Sequence, residues 1–170
     1  MKGEGARGVL LGIMMLMCGT VEAQTFSIVQ EHDSLSWLVL RTDSTIDRWK
    51  LPYPVYQFQT GDVDGDGLTD ALVGVVKATR FYKEKGRRLF IFKNKDGLVR
   101  PLWMGSKLGG ILDDFRFVDG KVRSLEHTAD YRYAVAEYRW QGFGMGFERF
   151  LVIGTREEAI QTFQHNTTND

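Results

Sequence analysis

Four aspartates lie within the ten-residue segment GDVDGDGLTD, residues 61–70. They occupy the first, third, fifth and ninth positions of the pattern DxDxDGxxD, so a chain that wraps around one point would direct their oxygens inward. Ca²⁺ takes about six to eight oxygen ligands at about 2.3–2.6 Å. The pattern therefore predicts a calcium site. Its predicted ligands are the side chains of Asp62, Asp64, Asp66 and Asp70 and the backbone carbonyl of Leu68.

Two glycines support the wrapped conformation of this loop. Gly65 and Gly67 stand between the acidic positions, where they allow the positive-φ turns that a tight wrap requires. Four neighbouring carboxylates repel one another unless a cation lies among them. The alternative interpretation is a hairpin turn rich in Asp and Gly that binds no ion.

The flanks of the loop distinguish it from an EF-hand. An EF-hand places a bidentate Glu at loop position twelve and a helix on each side, whereas position twelve here is Val73 and the upstream flank contains Pro52 and Pro54. Residues 55–59 alternate in polarity and residues 71–76 are largely β-branched, so both flanks are predicted to be strands.

A DxDxDG loop between two strands resembles the FG-GAP, or VCBS-type, repeat of integrin α-subunit propellers and of many bacterial secreted proteins. The similarity covers residues 56–77, as one intact copy, and includes the pair Val73-Gly74 after the loop. The resemblance implies a structural calcium ion, and a domain that serves binding or scaffolding.

Length and charge limit the class of protein. The 170 residues carry 22 basic and 22 acidic side chains, which suits a single domain and indicates neither a nucleic-acid partner nor an anionic membrane surface. We expect the β domain to cover residues 24–163 and residues 164–170 to form a disordered tail.

The N-terminal residues are typical of an export signal. Lys2 and Arg7 precede an apolar stretch at residues 9–17 that is too short for a stable membrane-spanning anchor. Small residues before position 24 predict a signal peptide over residues 1–23 and a periplasmic or secreted protein that does not span the membrane. Two alternatives are a buried N-terminal helix and a lipid anchor on Cys18. Cys18 is the only cysteine, so the processed chain would contain no disulfide and no cysteine nucleophile.

The remaining chain is predicted to be all-β. Apolar alternation predicts strands that are separated by turn residues. Asp119-Gly120 is predicted to be a two-residue hairpin turn, and residues 83–88 a charged connector. Residues 157–163 are predicted to form a short helical or frayed end. The predicted strands cover residues 25–29, 37–41, 55–59, 71–77, 89–92, 98–104, 111–118, 121–125, 131–140 and 143–153.

A weak internal repeat indicates how the strands are arranged. Residues 37–40 and the later Trp49 have counterparts about 52 residues further on, in residues 89–92 and Trp103. This period matches a four-stranded blade, but a propeller needs about four blades or more to close and this chain is too short for that. The sequence predicts antiparallel, blade-like sheets and leaves a partial propeller, a small barrel and a sandwich open.

No constellation of catalytic residues is apparent, and we expect the chain not to be an enzyme. His32, His127 and His165 have no partner at metal-binding spacing. Asp113 and Asp114 are adjacent, so on a regular strand their side chains point to opposite faces. Three alternating glycines at positions 142, 144 and 146 are expected on one face of a strand, either for close packing or to leave a flat face clear.

The tryptophans allow two interpretations. Core packing is the ordinary role of aromatic residues in β domains, but exposed rings also form sugar-stacking platforms. The sequence therefore predicts an exported calcium-binding module of the cell envelope with a protein or glycan partner. The alternative is a carbohydrate-binding module or carbohydrate-active enzyme supported by a structural calcium. The residues concerned are Trp37, Trp49, Trp103 and Trp140.

Overall fold

The computed structural model describes residues 24–80, 83–105 and 108–165. The predicted signal peptide, including Cys18, and residues 166–170 of the predicted tail lie outside the described residues. The elements are β1 (Thr25–His32), β2 (Leu35–Arg41), β3 (Ile46–Leu51), β4 (Val55–Gly61), β5 (Asp70–Lys77), β6 (Gly86–Lys95), β7 (Leu98–Trp103), β8 (Ile111–Val118), β9 (Lys121–His127), β10 (Tyr133–Trp140), β11 (Met145–Gly154) and α1 (Arg156–Gln164).

The described strands form three antiparallel sheets, each a meander of neighbours in sequence. Sheet 1 has the order β1-β2-β3, sheet 2 the order β4-β5-β6-β7, and sheet 3 the order β11-β10-β9-β8. None of the three closes into a barrel. The predicted all-β fold with antiparallel, blade-like sheets is therefore confirmed.

Sheet 2 is the central layer, because its two faces contribute to different cores. In β6, Phe90 and Phe92 pack against residues of sheet 1. Leu89 and Ile91, which alternate with these phenylalanines along the strand, pack against residues of sheet 3. This is the period-two alternation of a strand, with apolar side chains on both faces, as expected for a sheet that is covered on both sides.

Helix α1 covers the other face of sheet 3. It begins after Thr155, whose hydroxyl accepts a hydrogen bond from the Glu158 N–H while the Glu158 carboxylate accepts one from the Thr155 N–H. This capping box satisfies two amide donors at the helix start. Ala159 and Phe163 of the helix pack with Leu125 and Val135 of the sheet in a third, smaller core.

A buried ion pair lies at the same helix–sheet junction. Arg123 Nη2 donates to Glu137 Oε1 at 2.9 Å, and Arg123 Nη1 donates to the carbonyl of His165 just after the helix. Burial by itself raises the pKa of Glu137, but hydrogen bonds from Arg123 and Arg149 outweigh it and lower that pKa. The pair thus connects β9, β10 and the end of α1.

The repeat in the sequence has a counterpart in the sheets. The first repeat unit ends sheet 1, with residues 37–40 in β2 and Trp49 in the last strand, β3. The second unit ends sheet 2 in the same way, with residues 89–92 in β6 and Trp103 in the last strand, β7. β4 and β8 then begin the next sheets. The acidic loop joins the first two strands of sheet 2, where sheet 3 has the hairpin at Asp119-Gly120.

That hairpin confirms the predicted turn. Asp119 and Gly120 both have positive φ, at 51° and 71°, as a type I′ turn requires. Asp96 and Gly97 do the same between β6 and β7, with φ of 55° and 78°.

Two predicted segments need correction. The charged connector is shorter than expected, because β6 begins at Gly86 and continues the pairing of Arg87 and Arg88 with β5. The predicted row of glycines on one strand face is wrong, because β11 begins only at Met145. Gln141 N–H donates to the carbonyl of Gly144 at 2.9 Å, which closes a turn that contains two of the three glycines.

The central sheet should dominate stability. Phe92 is fully buried and its ring lies 5.6 Å from that of Trp49, so Phe92→Ala should lower the free energy of unfolding by about 3–5 kcal/mol. Phe143 is 90% exposed, and Phe143→Ala is the matched control, with an expected effect of at most about 0.5 kcal/mol. Urea denaturation of both variants measures this, and equal losses would contradict the layered core.

Candidate metal centre

The acidic loop is held in shape by its own backbone amides. Asp62 Oδ1 accepts from the Gly65 N–H at 2.7 Å, and Asp62 Oδ2 accepts from the Gly67 N–H at 3.0 Å. Gly65 and Gly67 have φ of 77° and 84°, the left-handed conformation that favours glycine. Asp64 and Asp66 each accept from the amide two residues further on. The chain therefore turns repeatedly around its own carboxylates.

Three of the predicted ligands converge. One carboxylate oxygen from each of Asp62, Asp64 and Asp70 lies within 4.8 Å of the others, so this group could hold a metal ion. Asp66 lies beside the group and points one oxygen at a lysine instead. Leu68 has an exposed side chain, and its N–H donates to Asp66 Oδ1 at 2.8 Å.

Asp70 is the distinctive member of the group. It is fully buried at the start of β5, and its Oδ2 accepts from the Val63 N–H at 2.9 Å. Its Oδ1 is buried and has no hydrogen-bond partner within the described part of the chain. Burial raises the pKa of Asp70 to about 7, and the charges of Asp64 and Asp66 add to the rise. A buried carboxylate oxygen without a donor is costly, and a cation is what would compensate it.

Lys93 is the cation that the protein itself supplies. The ladder pairs Phe92 of β6 with Ala71 of β5, so the next residue, Lys93, comes beside Asp70. Its Nζ donates to Asp66 Oδ2 at 2.6 Å and also to Asp64 Oδ2. Partial burial by itself lowers the pKa of Lys93, but the bonds to the two carboxylates outweigh it and raise that pKa.

Neighbouring elements anchor the loop from several sides. Val63 is buried in the core between sheets 2 and 3, and a Cβ on Gly61 would lie 2.2 Å from the ring of Phe117 in β8. Gln24 Nε2 donates to the Thr69 carbonyl at 3.0 Å. The loop is therefore part of the packed domain, and its position depends on sheet 3 as well as on its own strands.

A second polar group was not apparent from the sequence. His127 Nδ1 lies 3.1 Å from Asp113 Oδ2, and Tyr131 stacks on the imidazole with ring centroids 6.0 Å apart. The pair borders an open groove of about 550 Å³ that Arg87 and Arg156 also line. Within the described ranges no third metal-ligating side chain joins them.

A bulge lies at one member of this pair. In β8, Leu112 pairs with Glu126 and Asp114 pairs with Leu125, so Asp113 is the extra residue. A bulge breaks the strict alternation of side chains, so the regular-strand pattern does not apply to Asp113 and Asp114. In the sequence, two adjacent aspartates interrupt an apolar strand. They indicate an irregular strand, but they do not indicate that Asp113 contacts His127.

The tryptophans do not form an open platform in the described part of the structure. Trp49 packs against the core between sheets 1 and 2, and Trp103 and Trp140 pack against the core between sheets 2 and 3. Trp37 is half-buried, and its Nε1 donates to Glu31 Oε2 at 2.8 Å. The core-packing interpretation therefore holds for Trp49, Trp103 and Trp140.

One exposed apolar row lies on β11 and contains two phenylalanines and an isoleucine. Phe147, Phe150 and Ile153, which we call the β11 strip, are 49%, 50% and 60% exposed. Spaced by three, they would alternate between faces on a regular strand, but two bulges against β10 place them opposite Tyr138, Ala136 and Ala134. The strip therefore lies on one face of an edge strand.

No protein-family model, curated protein or solved structure matches this chain. The resemblance to FG-GAP repeats thus depends on the loop and its two flanking strands. Over the described ranges, the chain contains no helix with the length and apolar character needed to cross a membrane.

Proposed function

We propose that this chain is an exported calcium-binding β domain of FG-GAP/VCBS-like type that serves as a binding or scaffolding module in the cell envelope. The observation that carries the proposal is Asp70. This residue is fully buried, one of its carboxylate oxygens meets no donor among the described residues, and its carboxylate belongs to the same group as those of Asp62 and Asp64.

The chemistry of the ligands favours calcium among common metal ions. Every donor in the loop is an oxygen, whereas zinc sites in proteins use mainly nitrogen and sulfur. Magnesium requires a near-ideal octahedron at about 2.0–2.1 Å, and calcium accepts irregular shells. Asp62, Asp64 and Asp70 would hold the ion, with Asp66 and the Leu68 carbonyl completing the shell after small movements of the loop.

The ion would act as a structural tie. The loop connects β4 and β5 directly, and Val63 within it is part of a core. Sensor EF-hands open because two helices flank their loop, and no helix flanks this one. Calcium would therefore stabilise the hairpin and its contact with sheet 3 without switching the conformation of the domain.

Calcium should raise the melting temperature. Without a bidentate Glu we expect a dissociation constant of about 10⁻⁴–10⁻³ M, and tenfold excess calcium then adds about 1.4 kcal/mol of stability. Several degrees of stabilisation in millimolar calcium, reversed by a chelator, is the expected result in a thermal melt. Asp64→Ala should abolish the response, and Asp43→Ala, at an exposed turn, is the control. Identical wild-type curves with calcium and with chelator would disprove the calcium site.

A protein partner is favoured over a glycan by the exposed side chains. The β11 strip combines phenylalanines with an unpaired strand edge, a combination suited to strand addition by an extended protein segment. The tryptophans that would form a sugar platform are mostly packed in cores. We propose binding without catalysis, because within the described residues no serine or threonine hydroxyl hydrogen-bonds to the Asp113–His127 pair.

Photo-crosslinking in cells can test the partner. A photoreactive amino acid at position 150 should yield a discrete protein adduct, and the same amino acid at position 46, also exposed on an edge strand, should not.

The purified domain should bind no sugar on a glycan array and hydrolyse no glycan. Specific sugar binding, or turnover lost in His127→Ala, would favour the carbohydrate-related alternative.

Export can be tested separately. N-terminal sequencing of the protein from the envelope fraction should begin at Gln24, because small residues at positions 21 and 23 suit signal-peptidase cleavage. A mature chain that retains Met1 would contradict export through this signal. Acyl chains on Cys18 would identify a lipid anchor in its place.

A further inference from the structure

We propose that Lys93 is a tethered competitor of calcium, whose ammonium group closes the acidic loop when calcium is scarce and gives up Asp64 when calcium binds. The inference rests on the proposed calcium function and adds a means of setting its affinity. It predicts that the domain keeps its fold at low calcium and responds to the ion over a higher concentration range than the aspartates alone would set.

The competition follows from shared oxygens. Asp64 belongs to the group of three carboxylates that could hold a metal ion, and its Oδ2 also accepts from Lys93 Nζ. Its Oδ1 accepts from the Asp66 N–H at 3.3 Å. Both oxygens of Asp64 are therefore engaged, and an ion that uses the lysine-bound oxygen competes with the ammonium group for it.

Charge makes the competition unavoidable. The loop carries four carboxylates; Lys93 neutralises one negative charge and calcium would neutralise two. Coulomb repulsion between a divalent ion and an ammonium about 5 Å away is large enough, even at the dielectric constant of water, to weaken binding on the order of tenfold. This repulsion favours movement of Lys93 away from the ion, and the hydrogen bonds that Lys93 then gives up lower the calcium affinity.

Lys93 is positioned by the fold rather than placed by chance on the surface. It lies in β6, whose pairing with β5 extends to Ala71 beside the loop, and its side chain is 21% exposed. Lys95, on the same side of the same strand, is exposed and forms no ion pair with the described residues. This neighbour therefore provides a matched control for the loss of one positive charge.

The test is calorimetric titration of the wild-type domain, Lys93→Met and Lys95→Met with calcium chloride. Lys93→Met should bind calcium about tenfold or more tightly than the wild type, and Lys95→Met should change the dissociation constant by less than about threefold. In chelator, Lys93→Met should melt at a lower temperature than the wild type, because its carboxylates then repel without a counter-charge. Saturating calcium should remove that deficit.

Each outcome is informative. Equal calcium affinity of the wild type and Lys93→Met, with binding in both, would overturn the competition and leave the calcium site intact. Binding in neither would overturn both proposals. Calcium binding only in Lys93→Met would support the competition and show that the lysine alone closes the wild-type loop under ordinary conditions. Weaker binding in Lys93→Met would overturn the competition.

A second measurement covers the case in which Lys93→Met does not fold without calcium. In the wild-type domain, the ammonium ¹⁵N signal of Lys93 should be protected from solvent exchange in chelator, because Nζ is held by two carboxylates. Calcium should abolish that protection. A signal that stays protected at saturating calcium would overturn the proposal without the use of any variant.

Discussion

The burial of sheet 2 on both faces is the constraint on which the other features depend. Its strands β5 and β6 send alternate side chains into two different cores, so sheets 1 and 3 are fixed relative to the same two strands. The acidic loop is the first turn of this central sheet. Asp70 is consequently buried at the start of β5, and a charge that would be harmless on a surface turn has to be compensated locally.

That compensation shapes the chemistry of the loop. Backbone amides satisfy most of the carboxylate oxygens, and Lys93 reaches Asp64 and Asp66 from the neighbouring strand. One oxygen of Asp70 is left without a donor in the described residues. An intrinsic ammonium group and a divalent ion are two solutions to the same electrostatic problem, and their geometry makes them rivals for Asp64.

Away from the loop, irregular strands create the surface features that a regular sheet would lack. The bulge of β8 lies at Asp113, whose carboxylate contacts His127, and the two bulges of β11 align Phe147, Phe150 and Ile153 on one face. Bulges shift the phase of side chains by one position. In this domain the bulges of β11 thus produce an apolar strip on an edge strand, and the bulge of β8 coincides with a polar pair beside a groove.

Local patterns in the sequence were sufficient to predict the all-β fold, the Asp119-Gly120 hairpin and the acidic loop that brings Asp62, Asp64 and Asp70 together. Strand alternation, turn conformation and closely spaced carboxylates all depend on residues that are neighbours in sequence. The repeat also predicted blade-like sheets, but it left their number and arrangement open. Only the tertiary structure decided that Asp70 is buried, that Lys93 meets Asp64 from 29 residues away, and that three tryptophans pack in cores. These properties depend on strand register and on contacts between sheets, which join residues that no local pattern connects.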